Sequence, residues 1–251
     1  MNFFFGIKTN LISSRLNVPR FKNNSLKDSS YKLFSALPEK NYWKIDEVSC
    51  DKDDYFYFIN KEQICNRVIF FLAKPTQIKN KMLKLENFNH YTNTSPDYRS
   101  NLRVQNKFGG FSSYQSEYPF TMVKKKGNII SPISSLANKD AKTNMIFLRN
   151  IYLEPIHDNF EIYFINLETK EILYKNTLKT NYTNEIEIEK KFIKESIYLF
   201  TKNYIGVPIF CSINNHHMSF EHTHPPHEYL LSNDKFSIVK KLKENINEIL
   251  N

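Results

Sequence analysis

The stretch Glu185-Ile186-Glu187-Ile188-Glu189 alternates strictly between glutamate and isoleucine. A period of two residues puts successive side chains on opposite faces of a β-strand, so this segment predicts a strand with one buried and one solvated face. Short β-branched or aromatic runs recur around it at intervals of about ten residues, which is typical of antiparallel sandwiches and barrels. We therefore predict strands at 42–48, 55–59, 68–72, 120–123, 145–153, 160–167, 172–178, 184–188, 197–201 and 207–213.

Both ends of the chain depart from this pattern. From Asp234 onwards apolar residues recur at steps of three and four, which predicts an amphipathic C-terminal helix with Asn233 or Asp234 as its N-cap. The apolar positions of this helix are Phe236, Val239, Leu242, Ile246 and Leu250. Residues 1–40 show no sustained period and predict an irregular N-terminal arm.

The fold class that follows is mainly β, an antiparallel β-sandwich or distorted barrel with an irregular N-terminal arm and a C-terminal amphipathic helix. Residues 1–40 form the arm and residues 41–251 a single β-rich domain. The weakly periodic stretch 74–101, which carries Asn, Thr and Pro, is the candidate for a subdomain boundary.

Composition excludes several classes of protein. The 251 residues are 41% hydrophobic and 15% aromatic, enough to build a large core, so extended disorder is not expected. With only five glycines and neither GxGxxG nor GxxxxGK[ST], the chain has no Rossmann or P-loop signature. Its longest apolar run, 68–73, is far shorter than the roughly 20 residues that cross a bilayer, so no membrane insertion is expected.

The charge and the cysteine content indicate which partners and which cellular compartment to expect. The net charge is +9, but only six of the 35 basic residues are arginine, which disfavours nucleic acid as a partner. The three cysteines have no CxxC spacing, and Cys211 alternates in phase with Ile209 and Ile213, which predicts a buried thiol. Because Lys8 interrupts the apolar start, no secretory signal is predicted and a cytoplasmic location is expected.

Five of the seven histidines fall within residues 216–227, together with Glu221, and Glu228 follows directly. Clustered His and carboxylate groups are the usual ligands of divalent metals such as zinc. If the segment continues as a strand up to Pro225, His222 and His224 share a face with Met218 and Phe220. The candidate metal ligands are His222, His224 and His227, with Glu221 or Glu228 as general base. The alternative is that these histidines are hydrogen-bonded structural side chains.

Three short motifs in this region resemble those of known metal-binding families. His222-Thr223-His224 followed by Glu228 resembles the HxHxxxE core of cupins. His222, His224 and His227 are similar to the HxHxDH motif of metallo-β-lactamase-type hydrolases, with Pro226 in place of the aspartate. Glu221 with His224, and His90 with Asp97, resemble in spacing the motifs of D-alanyl-D-alanine-type zinc carboxypeptidases. These resemblances imply a divalent metal and assign no family to the whole chain.

A second candidate site follows Gly109-Gly110, where hydroxyl, amide, carboxylate and aromatic side chains are concentrated. This mixture of groups positions polar ligands such as sugars. The candidate ligand-binding residues are Ser112, Tyr114, Gln115, Glu117 and Tyr118. An ordinary loop between strands is the alternative.

The sequence leaves open whether the protein is an enzyme, and it does not set the oligomeric state. The leading hypothesis is a ligand-binding β domain that holds a polar small molecule or a carbohydrate-related, glycan-type ligand between residues 109–118 and the histidines. The alternative is a metal-dependent hydrolase that uses the histidine cluster. A second alternative is RNA or other nucleic-acid binding through basic and aromatic residues, because the segment Lys107-Phe108-Gly109-Gly110-Phe111 resembles the aromatic strand of RNA-recognition modules.

Overall fold

The computed structural model of the chain describes residues 2–20, 30–85, 99–124, 126–222 and 235–251. These residues form nineteen β-strands and two α-helices. In chain order they are β1 (Asn2–Phe4), β2 (Ile12–Pro19), β3 (Lys32–Pro38), β4 (Trp43–Glu47), β5 (Asp51–Lys52), β6 (Phe56–Ile59), β7 (Ile69–Ala73), β8 (Lys81–Met82), β9 (Asn101–Asn106), β10 (Phe111–Tyr114), β11 (Glu117–Pro119), α1 (Phe120–Val123), β12 (Ile130–Pro132), β13 (Thr143–Arg149), β14 (Asn159–Asn166), β15 (Glu171–Lys179), β16 (Thr183–Glu187), β17 (Ile197–Thr201), β18 (Val207–Asn214), β19 (His217–His222) and α2 (Lys235–Leu250).

The strands form four antiparallel sheets. Sheet I has the order β11-β1-β7-β3-β4-β8, and sheet II the order β10-β9-β2-β6-β5. Sheet III is β16-β13-β18-β19, and sheet IV is β12-β17-β14-β15. This confirms a mainly β, antiparallel fold that ends in a helix. Neither α-helix in the described part of the chain has the length and apolar character that a membrane span needs.

The two central strands of sheet III, β13 and β18, are buried on both faces and lie between two hydrophobic cores. Along β13, Met145 and Phe147 belong to a first core that they share with residues of sheets I and II. Ile146 and Leu148, on the opposite face of the same strand, belong to a second core shared with sheet IV. A continuous apolar run is the sequence pattern of a strand covered on both sides. Sheet III therefore joins the two halves of the molecule.

The predicted burial of Cys211 is confirmed. Its side chain is 1% exposed and lies in the first core with Ile209 and Ile213. Burial raises the pKa of its thiol to about 12. The thiolate, which is the reactive form, is therefore suppressed at neutral pH.

Helix α2 packs on the outer face of sheet IV. Ile246 is fully buried against Tyr163, Ile165 and Phe200, and Ile249 and Leu250 lie at the margin of this cluster. Leu242, which the helical period also placed on the packed face, is only half-buried. The proposed caps Asn233 and Asp234 and the side chain of Phe236 lie outside the described part of the chain.

Replacing Ile246 with alanine should detach the helix from sheet IV. We expect Ile246→Ala to lower the free energy of unfolding by about 2 to 4 kcal/mol, because it removes a fully buried side chain and leaves a cavity. Leu242→Ala, on the same helix but half-buried, is the matched control and should cost clearly less. Urea unfolding followed by circular dichroism measures both losses. Equal losses in the two variants would contradict this packing.

The N-terminal segment is not the irregular arm that the sequence predicts. Residues predicted to form an irregular arm instead supply β1, β2 and β3, and Phe3, Phe4 and Phe5 are fully buried. Each of these strands pairs with partners far along the chain: β1 with β7 and β11, and β2 with β6 and β9. Long-range pairing stabilises segments whose local pattern is weak.

Residues 120–123 correct another expectation. The apolar run Phe120–Val123, predicted as a strand, forms the single-turn helix α1. Periodicity does not distinguish a strand from a helix over so short an apolar run. The other predicted strands occur, with ends that differ by up to four residues.

Candidate functional site

The residues predicted to bind a polar ligand divide between two sheets. Ser112 and Tyr114 of β10 pair with the core-facing Val104 and Leu102, so they point to the inner side of sheet II. Tyr118 belongs to β11 in sheet I and is fully buried, and this burial raises the pKa of its hydroxyl. The structure therefore does not gather the five predicted residues around one described cavity.

Gln115 and Glu117 form a polar cluster with the residues that precede β9. The Ser100 N–H donates to Oε1 of Glu117 (3.1 Å), and Arg99 Nη1 lies 3.9 Å from Oε2 of the same carboxylate. With its amide turned so that the oxygen faces Arg99, Gln115 accepts from the same guanidinium. These contacts tie β11 to the start of β9, a structural role for two of the predicted residues.

The histidine segment is described as far as His222. β19 places Met218, Phe220 and His222 on one face and Glu221 on the other, as the alternation predicts, and Glu221 is exposed. The ring of His222 packs edge-on against Tyr114 at 5.2 Å, so the structure brings one predicted ligand-binding residue next to one predicted metal ligand. Near the other end of β19, Nδ1 of His216 donates to the carbonyl of Phe108 (2.5 Å).

The remaining predicted metal ligands, His224 and His227, lie outside the described residues, as does Glu228. Within the ranges that are described, no three His, Cys, Asp or Glu side chains are grouped so that they could hold a metal ion. His157 lies beside Arg67, with Nε2 and Nη2 3.4 Å apart, and His90 and Asp97 are also outside the described residues. The metal site stays a prediction.

The β9–β10 turn is fitted closely against the β18–β19 turn. A Cβ at Gly110 would lie 2.3 Å from the carbonyl oxygen of His216, and Gly109 has φ +123°, so neither position accommodates a side chain without strain. Asn106 Nδ2 donates to the carbonyl of Asn215 (3.4 Å). These contacts fix the turn that leads into β10.

The outer face of sheet II carries a concentration of polar and basic side chains. Its inner residues, such as Leu16 and Val104, are fully buried, and the alternate residues therefore point away from the core. We call this surface the arginine face. It consists of Ser13, Arg15 and Asn17 of β2, Asn101, Arg103 and Gln105 of β9, Phe111 and Ser113 of β10, and Phe58 of β6.

Two arginines are direct neighbours at the centre of this face. Arg15 and Arg103 occupy opposite positions in the antiparallel pair β2–β9, and Ser113 continues the row on β10. Like charges at directly opposed positions destabilise a sheet. Within the described ranges neither guanidinium forms an ion pair or donates a hydrogen bond to another side chain, although Arg103 lies over the ring of Phe111 at 4.9 Å.

Two depressions meet at the arginine pair. The larger has a volume of about 490 Å³ and is lined by Arg15, Asn17, Asp51, Phe58, Ile59, Asn60, Asn101 and Arg103. The smaller has a volume of about 190 Å³ and is lined by Ser13, Ser14, Arg15, Lys61, Arg103 and Gln105. Asp51 is the one carboxylate among these lining residues. Both depressions therefore offer net positive charge together with amide groups, and the smaller one also has serine hydroxyls.

A third polar depression, beside Lys126 and Asp158, differs from the arginine face in its charge balance. Its lining carries one cation, Lys126, and one carboxylate, Asp158, so it offers no net positive charge, and Asp158 already accepts from the Tyr204 hydroxyl (2.8 Å). Burial and the neighbouring Asp158 raise the pKa of Tyr204, so this hydroxyl stays a donor at neutral pH. The arginine face is the better candidate for a ligand that supplies negative charge.

Sequence reasoning missed the arginine face although a signal was present. The stretch Asn101-Leu102-Arg103-Val104-Gln105 alternates between polar and apolar residues, and residues 12–18 follow the same alternation except at Ser14. Residues 12–18 fall within the predicted irregular arm, and residues 102–105 belong to none of the predicted strands. Comparison with protein families, with curated proteins and with solved structures gives no match for this chain.

Proposed function

We propose that the protein is a ligand-binding β-protein whose arginine face binds an anionic, polar ligand. The observation that carries the proposal is the direct pairing of Arg15 with Arg103 across β2 and β9. An anion placed between two guanidinium groups replaces their mutual repulsion with two charge-assisted interactions. The Ser, Asn and Gln side chains around the pair supply further donors and acceptors.

The polar or glycan-type ligand expected from the sequence is compatible with this proposal if it carries phosphate or carboxylate groups. Arginine forms bidentate hydrogen bonds with both groups. The ligand contacts proposed here lie on the outer face of sheet II, whereas Ser112 and Tyr114 point to its inner side.

Calorimetric titration with tripolyphosphate at low salt tests the arginine face directly. We expect binding that weakens as salt is added, and an affinity reduced at least tenfold in the double variant Arg15→Gln/Arg103→Gln, because both guanidinium contacts are lost. Lys139→Gln/Lys194→Gln is the matched control, since it removes the same charge from two exposed lysines that are not part of the arginine face. Its affinity should stay within about twofold of wild type.

Two results would contradict the proposal. One is the absence of tripolyphosphate binding by the wild-type protein at low salt. The other is an equal loss in the lysine control, which would mean that the net charge of +9 attracts the anion without a site.

A further inference from the structure

The arginine face has an aromatic ring on each side of its arginine pair. Phe111 on β10 is 65% exposed, an uncommon degree for a large apolar side chain. Phe58 on β6 is half-buried, lines the larger depression and pairs with Asn17 on the outward side of the sheet.

The four side chains lie on a diagonal across sheet II. Phe111 lies opposite Gln105, which is two residues from Arg103 along β9. Phe58 lies opposite Asn17, which is two residues from Arg15 along β2, towards the other end of the sheet. From β10 to β6 there are three strand spacings of about 4.8 Å, and the two rings are offset by about four residues of 3.4 Å along the strands. The rings are therefore about 20 Å apart, with the two guanidinium groups between them.

This alternation of flat apolar surfaces and fixed positive charge matches one chemistry. Single-stranded nucleic acid presents flat bases that stack on exposed aromatic side chains and phosphates that bind arginine. Asn17, Asn101 and Asp51 surround Phe58 in the larger depression and offer donors and acceptors for a base edge. A duplex, whose bases are stacked internally, has no free base for Phe111 to contact.

We infer that the anionic ligand of the arginine face is single-stranded nucleic acid that crosses sheet II diagonally. Bases stack on Phe111 and Phe58, and the intervening phosphates lie on Arg103 and Arg15. This inference rests on the function proposed above and names its ligand class. The low arginine content disfavours nucleic acid as a partner. This inference differs from that expectation, because the six arginines include this adjacent pair.

The experiment measures fluorescence anisotropy with a labelled 12-nucleotide mixed-sequence RNA, with the same sequence as a duplex, and with heparin as a polyanion that has no bases. We expect tighter binding of the single strand than of either competitor. Phe111→Ala should weaken single-strand binding about 5- to 100-fold through the loss of one stacked base, and Phe111→Trp should restore it. The affinity for tripolyphosphate should fall by a clearly smaller factor in Phe111→Ala than the affinity for the single strand, because tripolyphosphate has no base to stack on the ring.

Phe108→Ala is the matched control, since Phe108 is 58% exposed on the same hairpin but lies outside the diagonal. Arg15→Gln should lower the slope of log affinity against log salt by about 0.7, the contribution of one phosphate contact to a single strand. Circular dichroism of each variant checks that the fold is unchanged, which the exposure of Phe111 leads us to expect.

The outcomes separate the two proposals. If tripolyphosphate binding depends on Arg15 and Arg103 but the single strand binds no better than heparin or duplex, the ligand class is wrong and the anion site stands. An equal effect of Phe111→Ala and Phe108→Ala on RNA binding would likewise overturn the stacking role. Loss of tripolyphosphate binding from the wild-type protein would overturn the anion site itself.

Discussion

Replacing Arg149 with alanine is expected to destabilise the protein by about 2 to 5 kcal/mol, the range for truncating a large, fully buried side chain. Arg149 ends β13 and is fully buried. Its Nη1 donates to the carbonyl of Asn66 and to Oγ1 of Thr183 (3.1 Å), and its guanidinium lies 5.7 Å from the centre of the Phe5 ring. Its side chain thereby joins sheet III to the segment that precedes β7 and to Phe5, the residue that follows β1.

The environment of Arg149 explains the size of the effect. Burial lowers the pKa of its guanidinium to about 10, so the group is still protonated at neutral pH, and the backbone carbonyls of Asn66, Arg67 and Val68 accept hydrogen bonds from it. Alanine removes these donors and leaves both a cavity and polar atoms without partners. Arg149→Met should cost less, since it fills most of the space and removes the desolvated charge.

Unfolding in guanidinium chloride at pH 7 measures the loss of stability in each variant. Arg15→Ala is the matched control, because Arg15 is exposed and should shift stability by less than about 0.5 kcal/mol. A loss below 1 kcal/mol in Arg149→Ala would show that the carbonyls find other donors and that the guanidinium does not join the sheets.

Leu148→Ala is expected to lower the stability of both halves of the molecule by about 2 to 5 kcal/mol. Leu148 is fully buried in the second core, on the side of sheet III that faces sheet IV. The single tryptophan, Trp43, is fully buried in the first core, on the other side of sheet III. Because β13 contributes side chains to both cores, we expect the two cores to unfold together in the Leu148→Ala variant.

Tryptophan fluorescence and far-ultraviolet circular dichroism test this coupling in the same urea titration. We expect the fluorescence midpoint of Leu148→Ala to fall together with the midpoint from circular dichroism. Leu83→Ala, a leucine that is 73% exposed, is the control and should leave both midpoints in place. A variant in which Trp43 unfolds at the wild-type midpoint, after an earlier transition seen only by circular dichroism, would mean that the cores are independent.

The local sequence pattern predicts much of the fold and less of the candidate site. The strict alternation around Ile186 and the apolar run of β13 predict strands that occur, and the period of the last residues predicts α2. A local pattern does not report which strand is shared between two cores, since that depends on what packs on each face. It also missed β1 and β2, whose partners lie far along the chain.

The candidate site, too, is predicted only in part by the local sequence pattern. The alternation from His217 to His222 correctly predicts that Met218, Phe220 and His222 share one face of a strand. No local pattern could have placed Arg15 beside Arg103, because their proximity depends on the register of two strands that are distant in sequence. Side chains brought together by strand pairing are visible only once the sheet order is known.

The position of β1 between β7 and β11 has a consequence for synthesis on the ribosome. Phe3 pairs with Tyr118, so 115 residues must be added after Phe3 before that contact is available. At about 5 to 20 residues per second, the three consecutive phenylalanines stay without their final neighbour for about 6 to 23 s. During that interval they form an exposed apolar segment that chaperones recognise, and a nascent chain that stalls before residue 117 is prone to aggregate. The order of translation thus makes the first strand one of the last parts of sheet I to be completed.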